Sequence, residues 1–216
     1  MLTVLVDYEA GNLHSAEKAF QRMAQETGAG GILVSARPED VARADRIVLP
    51  GDGAFPACMR ALGAIPGLIE ALAEAVEARG RPFLGICVGM QLLADRGREY
   101  EDMPGLGWIP GEVVGIARDR AGSDRQLKVP HMGWNDLVID APHPVLDGIA
   151  TGDHAYFVHS YHFRTAERAD LLAHVDYGGP VAAIVGRGNV VGTQFHPEKS
   201  QETGLRLIAN FLRWAP

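Results

Sequence analysis

The run FLGICVGMQLL at residues 83–93 decides the fold of this chain. Its first half, within PFLGI at 82–86, is a short apolar segment of the kind that forms a strand buried on both faces. The second half of the run, through Leu93, predicts a helix. Glycines on either side of Cys87 allow a sharp turn and close packing of strand against helix, so we expect the cysteine side chain to be exposed at the carboxyl end of the strand. Open α/β sheets hold their functional sites at that edge.

Similar units flank this run. Apolar runs predict strands at 2–6, 31–35 and 46–50, and apolar residues at helical spacing predict helices at 12–24 and 67–80. Strands that alternate with helices favour right-handed crossovers and a mostly parallel sheet. From 107 to about 191 the runs are strand-like with turn residues between them, and a helix at about 201–213 closes the chain. We therefore expect one α/β domain over 1–216, an open, mostly parallel sheet with flanking helices and added antiparallel strands.

The composition narrows the class of function. The 216 residues carry a formal net charge of −7, and the sequence has no Lys/Arg block, which argues against nucleic acid as a partner. The longest apolar runs, about ten residues, are too short to span a bilayer. The N-terminus resembles a first strand and not a signal peptide, so we expect a cytoplasmic protein without a membrane partner. Two cysteines do not form a disulfide framework, and we see no metal-binding cluster.

Cys87 has the setting of a catalytic thiol. Backbone N–H groups at the start of the following helix, Val88 first, favour a thiolate and offer a donor for an oxyanion. A thiolate nucleophile needs a base, and His196 follows the strand-like run VVGTQF. Glu198 lies two residues further on, on the same side of an extended segment, where it can orient the His196 ring. A small buried thiol at a tight turn is the alternative, and Cys58 is interpreted as such a core cysteine.

Two of these motifs resemble a known family. GICVGMQLL together with QFHPEKS resembles the class I glutamine amidotransferases, whose fold is flavodoxin-like. Five segments together resemble the glutaminase subunits of imidazole glycerol phosphate synthases: DYEAGNLHS at 7–15, LPGDGAF at 49–55, KVPHMGWN at 128–135, YFVHSY at 156–161 and QFHPEKSQ at 194–201. Other amidotransferase subunits share the Cys87 turn and the His-Pro-Glu triplet, but not HMGWN with YFVHSY.

The resemblance implies a mechanism for glutamine hydrolysis. Cys87 attacks the glutamine carboxamide, His196 transfers the proton to the leaving ammonia, and Glu198 holds His196. Water then hydrolyses the γ-glutamyl thioester to glutamate. The backbone of Val88 and the loop of Gly51, Asp52 and Gly53 match the oxyanion hole. The positions that match the glutamine-binding residues are Gln91, Glu99, His159, Ser160 and Tyr161.

The resemblance also implies a partner. In this family ammonia passes to a (β/α)₈ cyclase subunit in a heterodimer. The cyclase converts a phosphoribulosyl-formimino aminoimidazole carboxamide ribotide (PRFAR) to imidazole glycerol phosphate, for histidine synthesis, and an aminoimidazole carboxamide ribotide. No cofactor is implied. The positions that match the partner face are Asn12, Met132, Trp134, Asn135, Tyr156 and Lys199.

Three segments depart from the family pattern. Asp52 stands in the oxyanion loop, where the family usually has an apolar residue and where a carboxylate opposes a developing negative charge. We hypothesise that Asp52 stabilises an inactive orientation of this loop. The segment 117–129 is longer and more charged than usual, and we expect an exposed hairpin there. The sequence ADRGREYEDMPG at 94–105 makes the register of Glu99 less secure than that of Gln91.

Other functions stay open at the level of sequence. The chain can be the glutaminase of a different ammonia-using synthase, such as the one that makes pyridoxal phosphate, although HMGWN and YFVHSY argue against it. A non-catalytic binding subunit would lose the nucleophile, the base or the oxyanion glycines, and all are present. A free-standing cysteine hydrolase, such as a γ-glutamyl hydrolase, would work without a partner. A thiol redox role is disfavoured because no second cysteine lies near Cys87.

Overall fold

A computed structural model describes residues 1–10, 13–117 and 127–216. Its centre is an eight-stranded sheet. The strands are, in spatial order, β2 (Gly31–Ser35), β1 (Leu2–Val6), β3 (Arg46–Gly51), β4 (Phe83–Cys87), β14 (Val190–Thr193), β13 (Pro180–Arg187), β12 (Leu171–Asp176) and β9 (Val138–Ile139). The first five are parallel, and the last three are antiparallel to their neighbours. This arrangement confirms the predicted α/β class with added antiparallel strands.

The parallel half of the sheet is the part that positions the site. Every residue of β3 and β4 is buried, as expected for strands covered on both faces. Because β3, β4 and β14 are parallel neighbours, their carboxyl ends meet at one edge of the sheet. The residues that follow these three strands therefore converge, and they include Asp52, Val88 and His196.

The helices form two groups. They are α1 (Leu13–Thr27), α2 (Pro38–Ala42), α3 (Phe55–Ala64), α4 (Leu68–Ala73), α5 (Val88–Gln91) and α6 (Gln201–Arg213). α1 packs against α6, whereas α4 contacts both α2 and α3. The helix predicted at 67–80 is α4 continued by a π-helical turn, Glu74–Ala78, and the predicted apolar stripe of Leu68, Leu72 and Val76 is buried. The predicted closing helix has the observed bounds of α6.

Two small sheets carry the rest of the predicted strands. β8 (His131–Asp136) pairs with β10 (His154–His159) in an antiparallel ribbon. The other sheet has the order β11 (Tyr161–Thr165), β7 (Gly111–Gly115), β5 (Arg96–Gly97) and β6 (Met103–Pro104). Most of the hairpin expected at 117–129 lies outside the described residues, as does Asn12 at the predicted start of α1.

The sheet and the helices share one hydrophobic core. Apolar side chains from the parallel strands, the antiparallel strands and the long helices belong to a single contiguous cluster. Within the described ranges, no single helix is long and apolar enough to cross a membrane. The segments Phe55–Ala64 and Leu68–Ala78 meet the criterion together, by length and composition only, as a pair bent by 97°.

Candidate active site

Cys87 ends β4 in a strained backbone conformation. Its φ of 56° and ψ of −113° lie in a region that residues with a side chain rarely occupy, at a cost of about 1–3 kcal/mol. The flanking glycines are needed for close approach: a Cβ on Gly85 would lie 2.4 Å from the Gly89 carbonyl oxygen, and a Cβ on Gly89 would lie 1.9 Å from that of Leu49. The turn itself is therefore made by the cysteine, and the glycines let strand and helix touch.

The structure corrects two expectations about this turn. Cys87 is not exposed at the strand tip; it is only 4% exposed, because neighbouring segments cover it and leave the sulfur facing a cavity. The helix after Cys87 is also shorter than predicted. α5 spans four residues and continues as tight turns through Leu93 and Ala94. Such a short helix supplies the unpaired N–H groups of one turn, beginning at Val88, but no long dipole.

His196 and Glu198 form the expected pair, but not for the expected reason: Glu198 lies in the 3-10 turn Pro197–Lys199 and not in an extended segment. The Nδ1 atom of His196 lies 2.9 Å from Oε1 of Glu198, and both side chains are buried. Burial alone would lower the pKa of His196, but hydrogen bonding and charge from Cys87 and Glu198 outweigh it and raise the pKa to about 10. The charged imidazolium form of His196 is therefore favoured beside Cys87, where it can give a proton to a leaving group.

Gln194 lies in the site although no sequence pattern predicted it there. Its side chain is fully buried, and its Nε2 donates to the Cys87 sulfur at 3.8 Å. Its Oε1 accepts a hydrogen bond from Nε2 of Gln91 at 3.0 Å. No local sequence pattern predicted this role, because Gln194 lies in a bend after β14 ends at Thr193 and its contact with Cys87 depends on how β14 lies beside β4.

A cavity of about 250 Å³ opens beside the Cys87 sulfur. It brings together most of the residues expected to bind glutamine or form the oxyanion hole. The lining residues are Asp52, Gly53, Cys87, Val88, Gln91, Glu99, Pro130, Val158, His159, Ser160 and Tyr161. The sequence segments that supply them are far apart in the chain, so the convergence follows from the fold.

Glu99 lines this cavity despite the uncertain register of its segment. Its Oε2 accepts the backbone N–H of Phe55 at 2.8 Å, at the start of α3. Burial raises the pKa of Glu99, while the Phe55 hydrogen bond opposes that rise. The carboxyl group of Glu99 is thus buried in the wall of the cavity that Cys87 also lines, where it suits an ammonium group of a ligand.

The loop after β3 lies against Cys87. Gly51 pairs with Cys87 across the sheet, and a Cβ on Gly51 would lie 2.5 Å from the Gly89 nitrogen. Oδ1 of Asp52 accepts the N–H of Gly53 at 2.9 Å, so the carboxylate occupies one of the loop donors. The Cys58 thiol donates to the Asp52 carbonyl at 3.3 Å from beneath the loop. Cys58 is buried, as predicted, and burial raises its pKa to about 11.

The residues expected on the partner face lie on both sides of strand β8. Met132 and Trp134 are 62% and 48% exposed, and Trp134 packs edge-on against Tyr156, its cross-strand neighbour. Asn135 lies on the opposite face of the strand, where its side chain bonds to His131. Lys199 is half-buried in the turn after His196.

No group of three or more His, Cys, Asp or Glu side chains within 1–10, 13–117 and 127–216 is arranged to hold a metal ion. Both cysteines are free thiols. The groups that line the cavity include a thiol, an imidazole, carboxyl groups and backbone N–H groups.

Comparison with known proteins assigns the family. The model of the family "Glutamine amidotransferase class-I" matches residues 5–214. The chain is similar to the "Imidazole glycerol phosphate synthase subunit HisH" of Cereibacter sphaeroides, with 74% identity over all of both chains, and to that of Ruegeria pomeroyi, with 67% identity over the same full coverage. The chain belongs to the HisH family of class I glutamine amidotransferases.

The fold of this amidotransferase also agrees with solved structures. A crystal structure of a glutamine amidotransferase superimposes with a TM-score of 0.70, covering 98% of both chains at 20% identity. At 20% identity, the similarity to this structure shows a shared fold and nothing about function. It confirms the predicted flavodoxin-like architecture, in which the candidate triad lies where the carboxyl ends of the parallel strands meet.

Proposed function

We propose that this amidotransferase is the glutaminase subunit of an imidazole glycerol phosphate synthase. The main support is that the strained, buried Cys87 lies next to the His196–Glu198 pair, at a cavity lined by Gln91 and Glu99. The full-length relatives that bear the synthase-subunit name support the choice of synthase. We infer that residues 1–216 form one glutaminase domain.

Glutamine hydrolysis follows from the geometry of the cavity. Glu99 binds the ammonium group of glutamine, and the Cys87 thiolate attacks the side-chain carboxamide carbon. The carbonyl oxygen becomes an oxyanion, stabilised by the Val88 N–H and by an N–H of the loop Gly51–Gly53. His196, held by Glu198, gives its proton to the departing ammonia and leaves a γ-glutamyl thioester. His196 then takes a proton from water, which attacks the thioester and releases glutamate.

The ammonia is passed to a cyclase partner. We propose a heterodimer with a (β/α)₈ cyclase that uses ammonia and PRFAR to form imidazole glycerol phosphate and an aminoimidazole carboxamide ribotide. The exposed Met132 and Trp134 support a docking face on β8, because large exposed apolar side chains often mark an interface. Tyr156 and Lys199 complete the proposed face, and Asn12, outside the described residues, is assigned to it by sequence resemblance alone. The side chain of Asn135 turns to the other side of β8, toward His131, and is left out of this face. We infer a cytoplasmic location, and two free thiols suit a reducing compartment.

The test is glutamate release from glutamine by the purified chain, alone and with a cyclase subunit bound to its nucleotide ligand. The cyclase of Cereibacter sphaeroides is a suitable partner, because that organism's HisH is 74% identical to this chain. We expect very slow release by the chain alone and a large rise in the complex. The matched control is the cyclase without its ligand.

Two results would oppose the proposal in different ways. Full glutaminase activity without the cyclase would indicate a free-standing hydrolase. Activity that rises with another synthase, but not with the cyclase, would retain the amidotransferase mechanism and reject the proposed pathway.

A further inference from the structure

A buried histidine pair connects β8 to the glutamine pocket. His131 and His159 are cross-strand partners in the β8–β10 ribbon, and both are buried. Nδ1 of His131 lies 3.0 Å from Nε2 of His159. Nδ1 of His159 lies 2.8 Å from the carbonyl oxygen of Tyr161. The two rings therefore form one continuous path from β8 to the cavity wall.

The protons on this path have one possible arrangement for neutral rings. The Tyr161 carbonyl can only accept, so His159 carries its proton on Nδ1 and its Nε2 is an acceptor. His131 must then donate from Nδ1, which leaves its own Nε2 as an acceptor. Each ring is thus an Nδ1–H tautomer, and the hydrogen bonds all point toward Tyr161.

Asn135 fixes the outer end of the path. Its Oδ1 accepts the Asp136 N–H at 2.8 Å, and its Nδ2 donates to the Asp176 carbonyl at 3.2 Å. These two contacts set the orientation of the amide. The same Nδ2 lies 3.3 Å from Nε2 of His131 and donates to it, in agreement with the tautomer required at the other end.

The surroundings keep the pair neutral and in place. Burial lowers the pKa of His131 to about 4 and that of His159 to about 3. The His131 ring is stacked on Tyr177, with centroids 4.0 Å apart, and on Phe157, with centroids 4.9 Å apart. Both rings are therefore neutral at neutral pH and keep one tautomer, so every hydrogen bond between Asn135 and the Tyr161 carbonyl has its donor on the Asn135 side.

The path ends on a carbonyl that also holds Gln91. Nε2 of Gln91 donates to the Tyr161 oxygen at 3.0 Å, so that oxygen accepts from both His159 and Gln91. Gln91 lines the cavity and bonds onward to Gln194, which touches the Cys87 sulfur. The orientation of the Tyr161 peptide therefore sets the position of Gln91.

We propose that His131 is a positioning residue for glutamine binding, acting through the one-directional chain Asn135, His131, His159 to the Tyr161 carbonyl and thus to Gln91. The inference rests on the proposed glutaminase function. His131 touches neither the cavity nor the candidate triad in the described contacts, so its effect falls on the affinity for glutamine and not on the chemical step.

The test compares His131→Phe with His131→Asn in the complex with the cyclase. Phe keeps the ring stacking but removes both hydrogen bonds, and we expect the KM for glutamine to rise roughly tenfold while kcat stays within about twofold. The amide nitrogen of Asn takes the place of the ring Nδ1 and restores the donor to His159, so KM should return to within about threefold of the original. Ammonia-dependent synthesis should be unchanged in both variants.

His143→Phe is the matched control. Like His131, His143 is a ring packed against an aromatic side chain, Trp214, although it is half-buried and not buried, and its Nδ1 accepts the backbone N–H of Val145. It lies outside the chain of bonds described above, so its replacement should leave KM unchanged. An equal rise in KM for His143→Phe, or an unchanged KM for His131→Phe, would overturn the proposal.

Nitrogen NMR of the unmodified protein provides a test that does not depend on a variant folding. At neutral pH we expect both His131 and His159 to carry a proton on Nδ1 and none on Nε2. An Nε2–H tautomer at either ring would reject the chain. If the unmodified complex releases no glutamate, the proposed function fails, whereas these tautomers still report on the chain itself.

Discussion

At the scale of single residues, the proposed activity depends on how Cys87 and His196 are held. The protein stores backbone strain at Cys87 and fixes it through close packing around Gly85 and Gly89. His196 is held by Glu198, and its raised pKa reports the stabilisation of its charged form. Each of these features involves one or two named residues, so a single substitution can test it.

Replacing Glu198 with Gln should lower kcat by about 10²-fold or more, because the amide still accepts the His196 Nδ1–H but no longer stabilises an imidazolium. The pKa of His196 should fall, because one of the two groups that raise it has lost its charge. The pH profile of kcat/KM for the complex measures both effects. An unchanged profile with unchanged kcat would contradict the role of Glu198.

Asp52 offers a test of the loop hypothesis. Its carboxylate accepts the Gly53 N–H, which is then not available to an oxyanion. Asp52→Val should free that N–H and raise glutaminase activity without the partner by about three- to tenfold. Asp52→Asn is the matched variant, because it keeps the acceptor oxygen and removes the charge. Activity that rises in Val but not in Asn would assign the effect to the hydrogen bond; no change in Val would reject the hypothesis.

The sequence predicted the candidate triad but not its immediate contacts. The pattern Gly-x-Cys-x-Gly and the spacing of His196 and Glu198 are local signals, so the His196–Glu198 bond was foreseeable. The contact between Gln194 and Cys87 depends on how β14 lies beside β4, which no local pattern encodes. Asn135 was expected at the partner face, and only its strand pairing shows that its side chain turns toward His131.

At the scale of elements, the ribbon β8–β10 and strand β11 place three histidines close to the site: the buried His131 and His159 and the half-buried His162. Burial lowers the pKa of His131 and of His162 to about 4, and that of His159 to about 3. These rings are neutral in the folded state at pH values where an unfolded histidine, with a pKa of 6.5, is protonated. Stability therefore depends on pH through these elements.

We expect the free energy of unfolding to fall as the pH falls from about 6.5 to about 4, because the unfolded state binds more protons there. His196 acts oppositely: its folded pKa of about 10 gives stability below pH 6.5 that is lost as the pH rises toward 10. Denaturant unfolding across this range should show a maximum near neutral pH. His162→Phe should make the acid side less steep, and an equally steep decline would contradict the assignment.

The elements themselves were predicted unevenly. Strands and long helices with regular apolar spacing, such as α6, appeared where expected. The helix after Cys87 was expected to be longer, because the apolar run continues through Leu93. The structure ends it at Gln91, and the following apolar residues are buried in turns, where apolar character alone does not distinguish a helix from a packed loop.

At the scale of the whole molecule, the exposed face of β8 is the proposed docking surface for the cyclase. Trp134→Ala should weaken the complex by about 30-fold, as expected for a large aromatic residue at the centre of an interface. Titration of the chain with the cyclase measures the Kd. Tyr100→Ala is the control, since Tyr100 is an exposed aromatic residue outside β8 and its loss should leave the Kd nearly unchanged. Equal effects of both variants would argue against this face.

In the proposed function, the Cys87 thiol releases ammonia from glutamine, and the synthase uses that ammonia. The most direct measurement compares glutamine-dependent with ammonia-dependent synthesis of imidazole glycerol phosphate by complexes that contain the original chain or Cys87→Ala. We expect Cys87→Ala to abolish the glutamine-dependent reaction and to leave the ammonia-dependent reaction intact. Retention of glutamine-dependent synthesis, or loss of both reactions in a complex that still assembles, would contradict it.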